Sequence, residues 1–215
     1  MILLETHAHS SPASSCGHVA PQEVARLIKS NGYDAMVLTN HFVFDKNRDY
    51  DQSFDTAVAD YAACKKMGEA LGFPVFFGLE LRFLPSINDY LIYGFTPESF
   101  YAMGSGFETL EDFFGQMPDG TLLYQAHPYR PHMVRANPRF LHGAEVYNGH
   151  PRHQSRNSLA AAFCTRHKLY ALSGSDMHQA EDVARGGMYL DHMPKDSPEL
   201  AGLLKTVDIK RLKKG

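Results

Sequence analysis

The sequence predicts an α/β protein with seven strands, most of which alternate with helices. Short apolar runs that suit buried strands recur along the chain, and the segments between them place apolar residues at helical spacing. No repeat, low-complexity tract or shift in composition divides the chain. We therefore expect residues 1–215 to form one domain, either a parallel α/β barrel or a doubly wound sheet.

Composition and charge argue against several functions. The 215 residues are 44% hydrophobic and carry a net charge of −3, which disfavours a broad nucleic-acid surface. No apolar run approaches the roughly 18 residues of a membrane span, and the start lacks the basic region of a signal peptide. Cys16, Cys64 and Cys164 are widely spaced and form no disulfide or zinc-knuckle pattern. We expect a reduced, cytoplasmic protein.

In the first half of the chain, turn-forming residues separate three strands from two helices. Pro21 suits the first turn of a helix, and Asn31-Gly32 ends it. A second helix places Phe54 and Val58 on one face, and Gly72 closes it. The predicted elements are strands at residues 2–6, 35–39 and 74–79, helices at 21–30 and 53–71, and loops at 10–20 and 42–50.

The second half of the chain contains four more strands, and the alternation with helices breaks once. The fourth strand follows the third through a turn at Pro85-Ser86, which is too short to hold a helix. The basic residues 210–214 are expected to form a solvated tail. The predicted elements are strands at 89–95, 121–126, 144–147 and 169–173, helices at 107–117, 155–167 and 199–204, and an ordered loop at 129–139.

Two histidines, His7 and His9, follow the first strand. Side chains two positions apart on a strand point to the same face, so both imidazoles can reach one metal ion. Alone, the pair is weak, because polar residues at a strand end are ordinary. Its weight depends on whether other strands end in matching ligands.

Metal-binding side chains follow five of the seven predicted strands. The carboxyl ends of parallel strands open on one face of a barrel, where active sites lie, so these side chains are expected to meet. A carboxylate buried among imidazoles also needs a cation as its partner. The residues are His7 and His9 after the first strand, His41 after the second, Glu80 after the third, His127 after the fifth, and Asp176 and His178 after the seventh.

This set of ligands exceeds what one ion needs. A closed zinc site takes four ligands and a catalytic one keeps a position open, so the set suits two or three divalent ions. Glu80 is a natural bridge because a carboxylate has two oxygens. Paired ions about 3.5–4 Å apart are usual for in-line displacement at phosphorus.

Taken in order, five motifs resemble those of the polymerase and histidinol phosphatase (PHP) family over roughly residues 3–187. The resemblance implies a distorted (β/α)7 TIM-like barrel, a trinuclear centre of Zn, Fe or Mn, and phosphoester hydrolysis. It assigns His7, His9, Glu80 and Asp176 to a first ion, Glu80 and His127 to a second, and His41 and His178 to a third. The motifs are Thr6-His7-Ala8-His9, Leu38-Thr39-Asn40-His41, Gly78-Leu79-Glu80, Ala126-His127-Pro128 and Ser173-Gly174-Ser175-Asp176-Met177-His178.

The chain departs from this family pattern at three places. Asn40 stands where many members have Asp, and we expect it to orient ligands through hydrogen bonds. Cys16 falls in the slot of a third-ion ligand, with His18 as its competitor. Asp89 stands where others have a histidine for the second ion, so it is either a ligand or a turn residue at the entry of a strand.

Other polar residues are candidates for substrate contact or for ordinary surface positions. Arginine binds phosphate through two parallel hydrogen bonds, so Arg130 and Arg185 are predicted to bind substrate, together with His18. Glu80, Asp176 and His178 are the catalytic candidates. Packing or turn roles are expected for Glu145, Tyr147 and Asn148, and surface positions for His132, His142, His150, His153, His167 and His192.

The expected function is hydrolysis of a small phosphate ester, such as histidinol phosphate, by a metal-activated water. His18 or Asp176 is the candidate donor of a proton to the leaving group. The compact size and the lack of a basic groove favour a small substrate over a nucleic-acid polymer. The alternatives are an amidohydrolase-like enzyme that acts on a carbon centre, because such barrels also begin with His-x-His, and a non-catalytic metal-binding domain.

Overall fold

In a computed structural model, which describes residues 1–215 throughout, two sheets form a nearly closed barrel. One sheet contains five strands and the other six. The strands are β1 (Ile2–Glu5), β2 (Ala35–Leu38), β3 (His41–Phe44), β4 (Val75–Phe77), β5 (Leu79–Phe83), β6 (Asp89–Tyr93), β7 (Leu122–Gln125), β8 (Gly143–Asn148), β9 (Tyr170–Gly174), β10 (Gly186–Leu190) and β11 (Leu212–Lys214). The sheet orders are β11-β10-β1-β2-β4 and β3-β5-β6-β7-β8-β9.

Six α-helices accompany the strands, and most begin at a side-chain cap. The carboxylates of Asp49 and Asp196 and the hydroxyls of Thr96 and Thr109 accept backbone N–H groups at four of the N-termini. Gly72 ends the longest helix with φ of 62°, as its position predicts. The helices are α1 (Pro21–Ser30), α2 (Tyr50–Leu71), α3 (Pro97–Tyr101), α4 (Leu110–Gln116), α5 (Asn157–His167) and α6 (Ser197–Leu204). None of them is both long and apolar enough to cross a membrane.

The two sheets are continuous because two strands bend from one sheet into the other. The chain passes from β2 through Thr39-Asn40 into β3, and from β4 through Gly78 into β5. Hydrogen bonds from Gly78 N to Leu38 O and from Glu80 N to Asn40 O, both 3.0 Å, join the two bends. With each bent pair counted once, the barrel strands are β1, β2–β3, β4–β5, β6, β7, β8 and β9. The predicted seven-stranded barrel is confirmed.

The barrel closes where the chain runs on past β1 and β9. Ala8 pairs in parallel with Met177, and Asp176 N donates to His7 O at 2.8 Å. His9 N donates to Met177 O at 2.9 Å. This seam therefore places the first predicted ligand pair directly beside the last one.

The strand β6 explains the break in the predicted alternation. It runs antiparallel to both β5 and β7, whereas the other neighbouring barrel strands are parallel. An antiparallel neighbour can be reached through a tight turn, while a parallel one needs a longer crossover. The turn at Pro85-Ser86 is therefore sufficient without a helix.

Side-chain alternation along β5 separates the apolar packing from the site. Leu79, Leu81 and Phe83 belong to one buried cluster, together with Phe54 of α2 and Phe113 of α4. The residues between them point to the opposite face of the strand. That face carries the charged side chains of β5, Glu80 and Arg82.

Three predicted element boundaries are wrong near the site. Residues 42–50 are not a loop, because β3 occupies His41–Phe44 and α2 already begins at Tyr50. Phe42 and Phe44 are buried in alternation with half-buried neighbours, which is a short strand pattern. The third predicted strand also continues to Phe83, so Glu80 lies within a strand and not after it.

The remaining differences lie in the second half. The basic end is not a solvated tail, because β11 pairs antiparallel with β10 and buries Leu212. The partner strand β10 lies more than twenty residues earlier in the sequence, so the charges of residues 210–214 alone do not indicate this pairing. The helix predicted at 107–117 is shorter, at Leu110–Gln116, and the five-residue helix α3 was not predicted.

Candidate metal centre

The predicted ligands meet at the mouth of the barrel where β1 and β9 join. His7 and His9 follow β1, and Asp176 follows β9, opposite Glu80 of β5. None of these four side chains is more than 1% exposed. Their charges must therefore be balanced by one another or by a bound cation.

The two imidazole nitrogens of this group lie at ligand spacing from each other and from one oxygen of each carboxylate. His7 Nε2 lies 3.1 Å from His9 Nε2, and Glu80 Oε2 and Asp176 Oδ1 lie 3.3–3.5 Å from these nitrogens. Ligands held tetrahedrally at the usual zinc bond length of about 2.0–2.2 Å are roughly 3.3–3.6 Å apart. The ligand atoms of His7, His9 and Asp176 all lie within 4.8 Å of one another, so these three side chains can share one metal ion, and Glu80 Oε2 lies beside the histidine pair as a further donor.

Glu80 faces histidines with both of its oxygens. Oε2 lies 3.1 Å from His41 Nδ1, in addition to its contacts with His7 and His9. Oε1 lies 3.1 Å from His127 Nε2. The other ring nitrogen of His127, Nδ1, is buried without a hydrogen-bond partner. A carboxylate in this position can bridge two ions.

A second group of ligand atoms contains Cys16. The ligand atoms of His9, Cys16, His41 and His178 all lie within 4.8 Å of one another. Burial, followed by the charge of Glu80, raises the pKa of the Cys16 thiol to about 11. A coordinated cation reverses this preference, because a coordinating thiol loses its proton.

His18, the alternative to Cys16 as a ligand of the third ion, does not point into this group. Its side chain is exposed, and its backbone N–H donates to the carbonyl of His178 at 2.8 Å. The structure therefore brings the side chain of Cys16, and not that of His18, into the group of potential ligands.

Burial and charge divide the histidines into two classes. Burial lowers the pKa of His41 to about 3 and, together with the charge of His9, that of His178 to about 4. Both imidazoles are therefore neutral near pH 7 and keep a lone pair for a metal. Burial acts on His7 as well, but nearby carboxylates, led by Asp176, outweigh it and raise the pKa of His7 well above its ordinary value.

Asp176 directs its two oxygens at different partners. Oδ1 faces the histidine pair, while Oδ2 accepts from Arg130 Nη2 at 2.6 Å and from Asn148 Nδ2 at 3.1 Å. Burial alone would raise its pKa, but His7 and other cationic neighbours hold the pKa of Asp176 well below its usual range. Asp176 is therefore a carboxylate and unsuited to donating a proton.

The backbone is strained at two of the predicted ligands. His127 has φ of 29° and Asp176 has φ of 54°, both in the left-handed region. Non-glycine residues seldom adopt it, at a cost of about 1–3 kcal/mol, and such residues cluster at functional sites.

Asp89 is buried at the start of β6, with Arg82 of β5 as its partner. Arg82 Nε and Nη2 donate to Asp89 Oδ1 and Oδ2, both at 2.7 Å. Asp89 Oδ2 is 3.9 Å from His127 Nε2. The structure thus brings Asp89 within 4.8 Å of ligand atoms of His41 and Glu80, but both of its oxygens are already bonded to an arginine that no sequence motif marks.

Glu145 and Glu5 support the ligands more closely than the sequence suggested. Glu145 Oε1 lies 2.9 Å from His7 Nδ1, and its Oε2 accepts from His127 N at 3.0 Å and from Asn148 Nδ2 at 2.9 Å. Glu5 accepts the backbone N–H groups of His7 and Ser175, both at 3.0 Å, across the barrel seam. The sequence signal for both residues was an acidic side chain within or at the end of an apolar strand.

Asn40 reaches two ligands through Ser14, in the role expected for it. Its Oδ1 accepts the Ser14 hydroxyl at 3.0 Å. The Ser14 oxygen lies 3.1 Å from His9 Nδ1 and accepts the backbone N–H of His41 at 2.9 Å. Asn40 thereby helps to fix the orientation of these ligands.

Several other predicted positions lie outside the group of ligands. The exposed side chain of Arg185 donates to the carbonyl of Glu181 at 3.3–3.4 Å and contacts no predicted ligand. His150 is not a surface residue, because it is only 6% exposed and its ring lies 5.0 Å from that of His178. His142 is half-buried, and the other histidines expected at the surface are exposed: His132, His153, His167 and His192.

Comparison with known proteins supports the fold. No protein-family model matches the chain, and neither does any curated protein. Among solved structures, a two-domain protein from Bacteroides vulgatus, described as containing a predicted PHP-like metal-dependent phosphoesterase, aligns with a TM-score of 0.60 at 20% identity. The alignment covers 98% of this chain and 63% of that protein, so this chain spans less than two thirds of its length.

Two further structures match over nearly their whole length. A candidate metal-dependent phosphoesterase from Bifidobacterium adolescentis has a TM-score of 0.56 at 15% identity, covering 96% of this chain and 97% of the other. An amidohydrolase from Chromobacterium violaceum, with bound sulfate and no metal, has a TM-score of 0.53 at 18% identity, covering 98% and 97%. The chain therefore has the distorted α/β barrel fold of the PHP-like proteins, in agreement with the resemblance seen in its motifs.

Proposed function

We propose that this protein is a metal-dependent hydrolase of the PHP family that cleaves a small phosphate ester. The observation that carries the proposal is the close approach, at 3.1–3.5 Å, of His7 and His9 to each other and to Glu80 and Asp176 within a buried site. The fold shared with proteins described as metal-dependent phosphoesterases supports the same reading.

The proposed centre holds two to three divalent ions of Zn, Fe or Mn. Bound ions would supply Lewis-acid activation of a water molecule and of the phosphoryl oxygens. The mixed imidazole, carboxylate and thiol donors suit these metals better than Mg²⁺ or Ca²⁺, which prefer oxygen ligands alone. The proposed ligands are His7, His9, Glu80 and Asp176 for the first ion, Glu80 and His127 for the second, and Cys16, His41 and His178 for the third.

Arg130 is the proposed anchor for the substrate phosphate. Its Nη2 is fixed by Asp176 and Asn148, whereas its Nε is buried without a partner. An unpaired N–H beside the ions can donate to a phosphoryl oxygen, with the added strength of a charge-assisted hydrogen bond. The fixed Nη2 keeps the guanidinium oriented before substrate arrives.

His18 is the proposed donor of a proton to the leaving alkoxide. The low pKa of Asp176 makes it a poor donor, which leaves the exposed imidazole of His18, tethered through its backbone to His178. Arg185 stays a candidate substrate contact at the rim, although its side chain now rests on Glu181. The net charge of −3 and the absence of a basic groove favour a small substrate, such as histidinol phosphate, over a polymer.

A metal-and-substrate panel tests this proposal. We expect apo protein reconstituted with Mn, Fe or Zn to release phosphate from p-nitrophenyl phosphate or histidinol phosphate, and Glu80→Ala to lose this activity. Glu111→Gln, at an exposed position on α4, is the matched control and should behave like wild type. Wild-type protein that holds metal but releases no phosphate from any monoester would contradict the proposal.

An amidohydrolase-like activity is the second candidate, and the likeness to the Chromobacterium violaceum amidohydrolase favours it. Adding amide and lactone substrates to the same panel separates the two reactions, because each breaks a different bond. Metal binding without turnover of any substrate would instead indicate a metal-binding domain. The single domain at residues 1–215 and the cytoplasmic location stay predictions of the sequence.

A further inference from the structure

A fixed cation, Arg82, lies one layer nearer the mouth of the barrel than Glu80. The two side chains are two positions apart on β5 and therefore share a face. Glu80 is opposite His41 in the strand register, whereas Arg82 is opposite Asp89 of β6. The guanidinium thus stands next to the proposed ions and towards the side from which substrate enters.

The contact between Arg82 and Asp89 has the geometry of a closed ion pair. Two parallel hydrogen bonds of 2.7 Å join the guanidinium to both carboxylate oxygens. Asp89 is only 2% exposed, so water does not compete for these oxygens. An oxygen of Asp89 lies within 4.8 Å of ligand atoms of His41 and Glu80 and 3.9 Å from His127, so Asp89 is near enough to be a metal ligand, and its bonds to the arginine are what set it apart.

One nitrogen of this arginine remains free. Nε and Nη2 are bonded to Asp89, while Nη1 makes no hydrogen bond within the protein. The side chain is 34% exposed, so a ligand in solution can reach part of it. Arginine is suited to this double task because its donors lie in a rigid plane that can bond two anions at once.

We propose that Arg82 takes the place of a metal ion at Asp89. It neutralises the carboxylate, keeps Asp89 out of the metal shell, and offers Nη1 to an oxygen of the bound phosphate. This inference rests on the proposed metal-dependent phosphoesterase function and adds a residue to it. In this proposal the guanidinium of Arg82, and not a metal ion, balances the charge of Asp89. The number of bound metal ions therefore does not depend on Asp89.

Metal content tests the first half of the proposal. Wild type, Asp89→Asn and Asp176→Asn would be reconstituted, dialysed and measured by mass spectrometry for ions per chain. We expect Asp89→Asn to retain the wild-type number and Asp176→Asn, which alters a proposed ligand, to lose at least one. Loss of one ion in a folded Asp89→Asn protein would overturn the proposal, with circular dichroism as the test of folding.

Phosphate binding tests the second half. Inorganic phosphate would be titrated calorimetrically into the metal-loaded wild type and into Arg82→Met, Arg82→Lys and Arg26→Met. Arg26 is an exposed arginine on α1 that contacts Glu23 at 3.8 Å and Met67 Sδ at 3.4 Å and none of the proposed ligands, so its variant is the control. We expect Kd to rise at least tenfold in Arg82→Met, less in Arg82→Lys, which keeps the charge but not the planar fork, and not at all in Arg26→Met.

Two outcomes of the titration would overturn the inference. One is unchanged phosphate affinity in Arg82→Met. The other is loss of metal from Arg82→Met in parallel with phosphate, which would make Arg82 a support for the metal shell and not a phosphate ligand. A wild-type protein that binds no metal would instead contradict the proposed function, and phosphate titration of that protein would still decide whether Arg82 binds the anion.

Discussion

His7 is oriented by Glu145 as well as by its own strand. The carboxylate holds Nδ1 at 2.9 Å, which leaves Nε2 facing the other predicted ligands. The second oxygen of Glu145 accepts from His127 N and Asn148 Nδ2. In a glutamine at this position, an NH2 group placed there would face these two donors and could accept from neither. A carboxylate behind a metal-binding histidine fixes both the tautomer and the ring orientation.

We predict that Glu145→Gln weakens metal binding by about 10–100-fold while the protein stays folded. Calorimetric titration of the apo protein with Zn or Mn measures this directly. The matched control is Glu111→Gln, which alters an exposed acid on α4 and should leave the affinity unchanged. Wild-type affinity in Glu145→Gln would mean that the strand alone orients His7.

Proton release should accompany metal binding at neutral pH. The raised pKa of His7 means that the apo protein holds a proton there at pH 7, and the raised pKa of Cys16, about 11, keeps the thiol protonated. A metal ligand must be deprotonated, so binding expels both protons, and the raised pKa of His9, caused by Asp176 and Glu80, adds to the release. His41 and His178, with lowered pKa values of about 3 and 4, contribute none.

We expect the heat of metal binding at pH 7 to vary with the ionisation enthalpy of the buffer. Cys16→Ser should release about one proton fewer than wild type. Because the His7 proton competes with the metal, affinity should fall as pH decreases through the raised pKa of His7. A binding heat that is independent of the buffer would contradict both assignments.

At the scale of elements, the bend between β4 and β5 sets the position of Glu80. Gly78 lies at this bend, and a Cβ there would be 2.7 Å from Val37 Cγ1 and 3.0 Å from Thr39 Cγ2. Such contacts are too close, so β5 would have to move away from β2–β3. Because Glu80 is two residues further on, the displacement would reach its carboxylate.

We predict that Gly78→Ala lowers the free energy of unfolding by about 1–3 kcal/mol and weakens metal binding. Urea denaturation of the apo protein and calorimetry measure the two effects. Gly115→Ala on α4 is the control, because no atom lies within 4 Å of its added Cβ. Equal stability of the Gly78→Ala and Gly115→Ala proteins would show that β5 tolerates the methyl group.

The strands also show what could be read from the sequence. Buried apolar runs predicted seven strands and the break before β6, because each of these signals is local, whereas the choice of a barrel over a doubly wound sheet came from the resemblance of the motifs. The additional strands β10 and β11 were not predicted. β11 forms by pairing with β10, more than twenty residues earlier, and a local sequence pattern does not reveal such a pairing. Arg82 was missed for a related reason, because only the register of β5 with β6 brings it to Asp89.

For the whole molecule, the buried charges at the barrel mouth form an unbalanced set. Glu5, Glu80, Glu145 and Asp176 are at most 1% exposed, and of these acids Arg130 contacts Asp176. Burial raises the pKa of Glu5 to about 7, which removes part of this excess when Glu5 is protonated. Divalent ions would balance the remainder, so the fold and the metal should be energetically linked.

We therefore predict that removing metal lowers the melting temperature. An ion present at 1,000 times its Kd stabilises the folded state by about 4 kcal/mol, if it binds only that state. For a protein of this size each kcal/mol corresponds to roughly 2–4 °C, so loading one ion should raise Tm by about 8–16 °C. Thermal unfolding followed by circular dichroism, with chelator and then with Zn, Mn or Fe, measures the shift. Glu80→Ala should lose most of it, because Glu80 contacts four of the proposed ligands: His7, His9, His41 and His127. A wild-type Tm that is the same with chelator and with every metal would mean that the buried acids are balanced by protons alone.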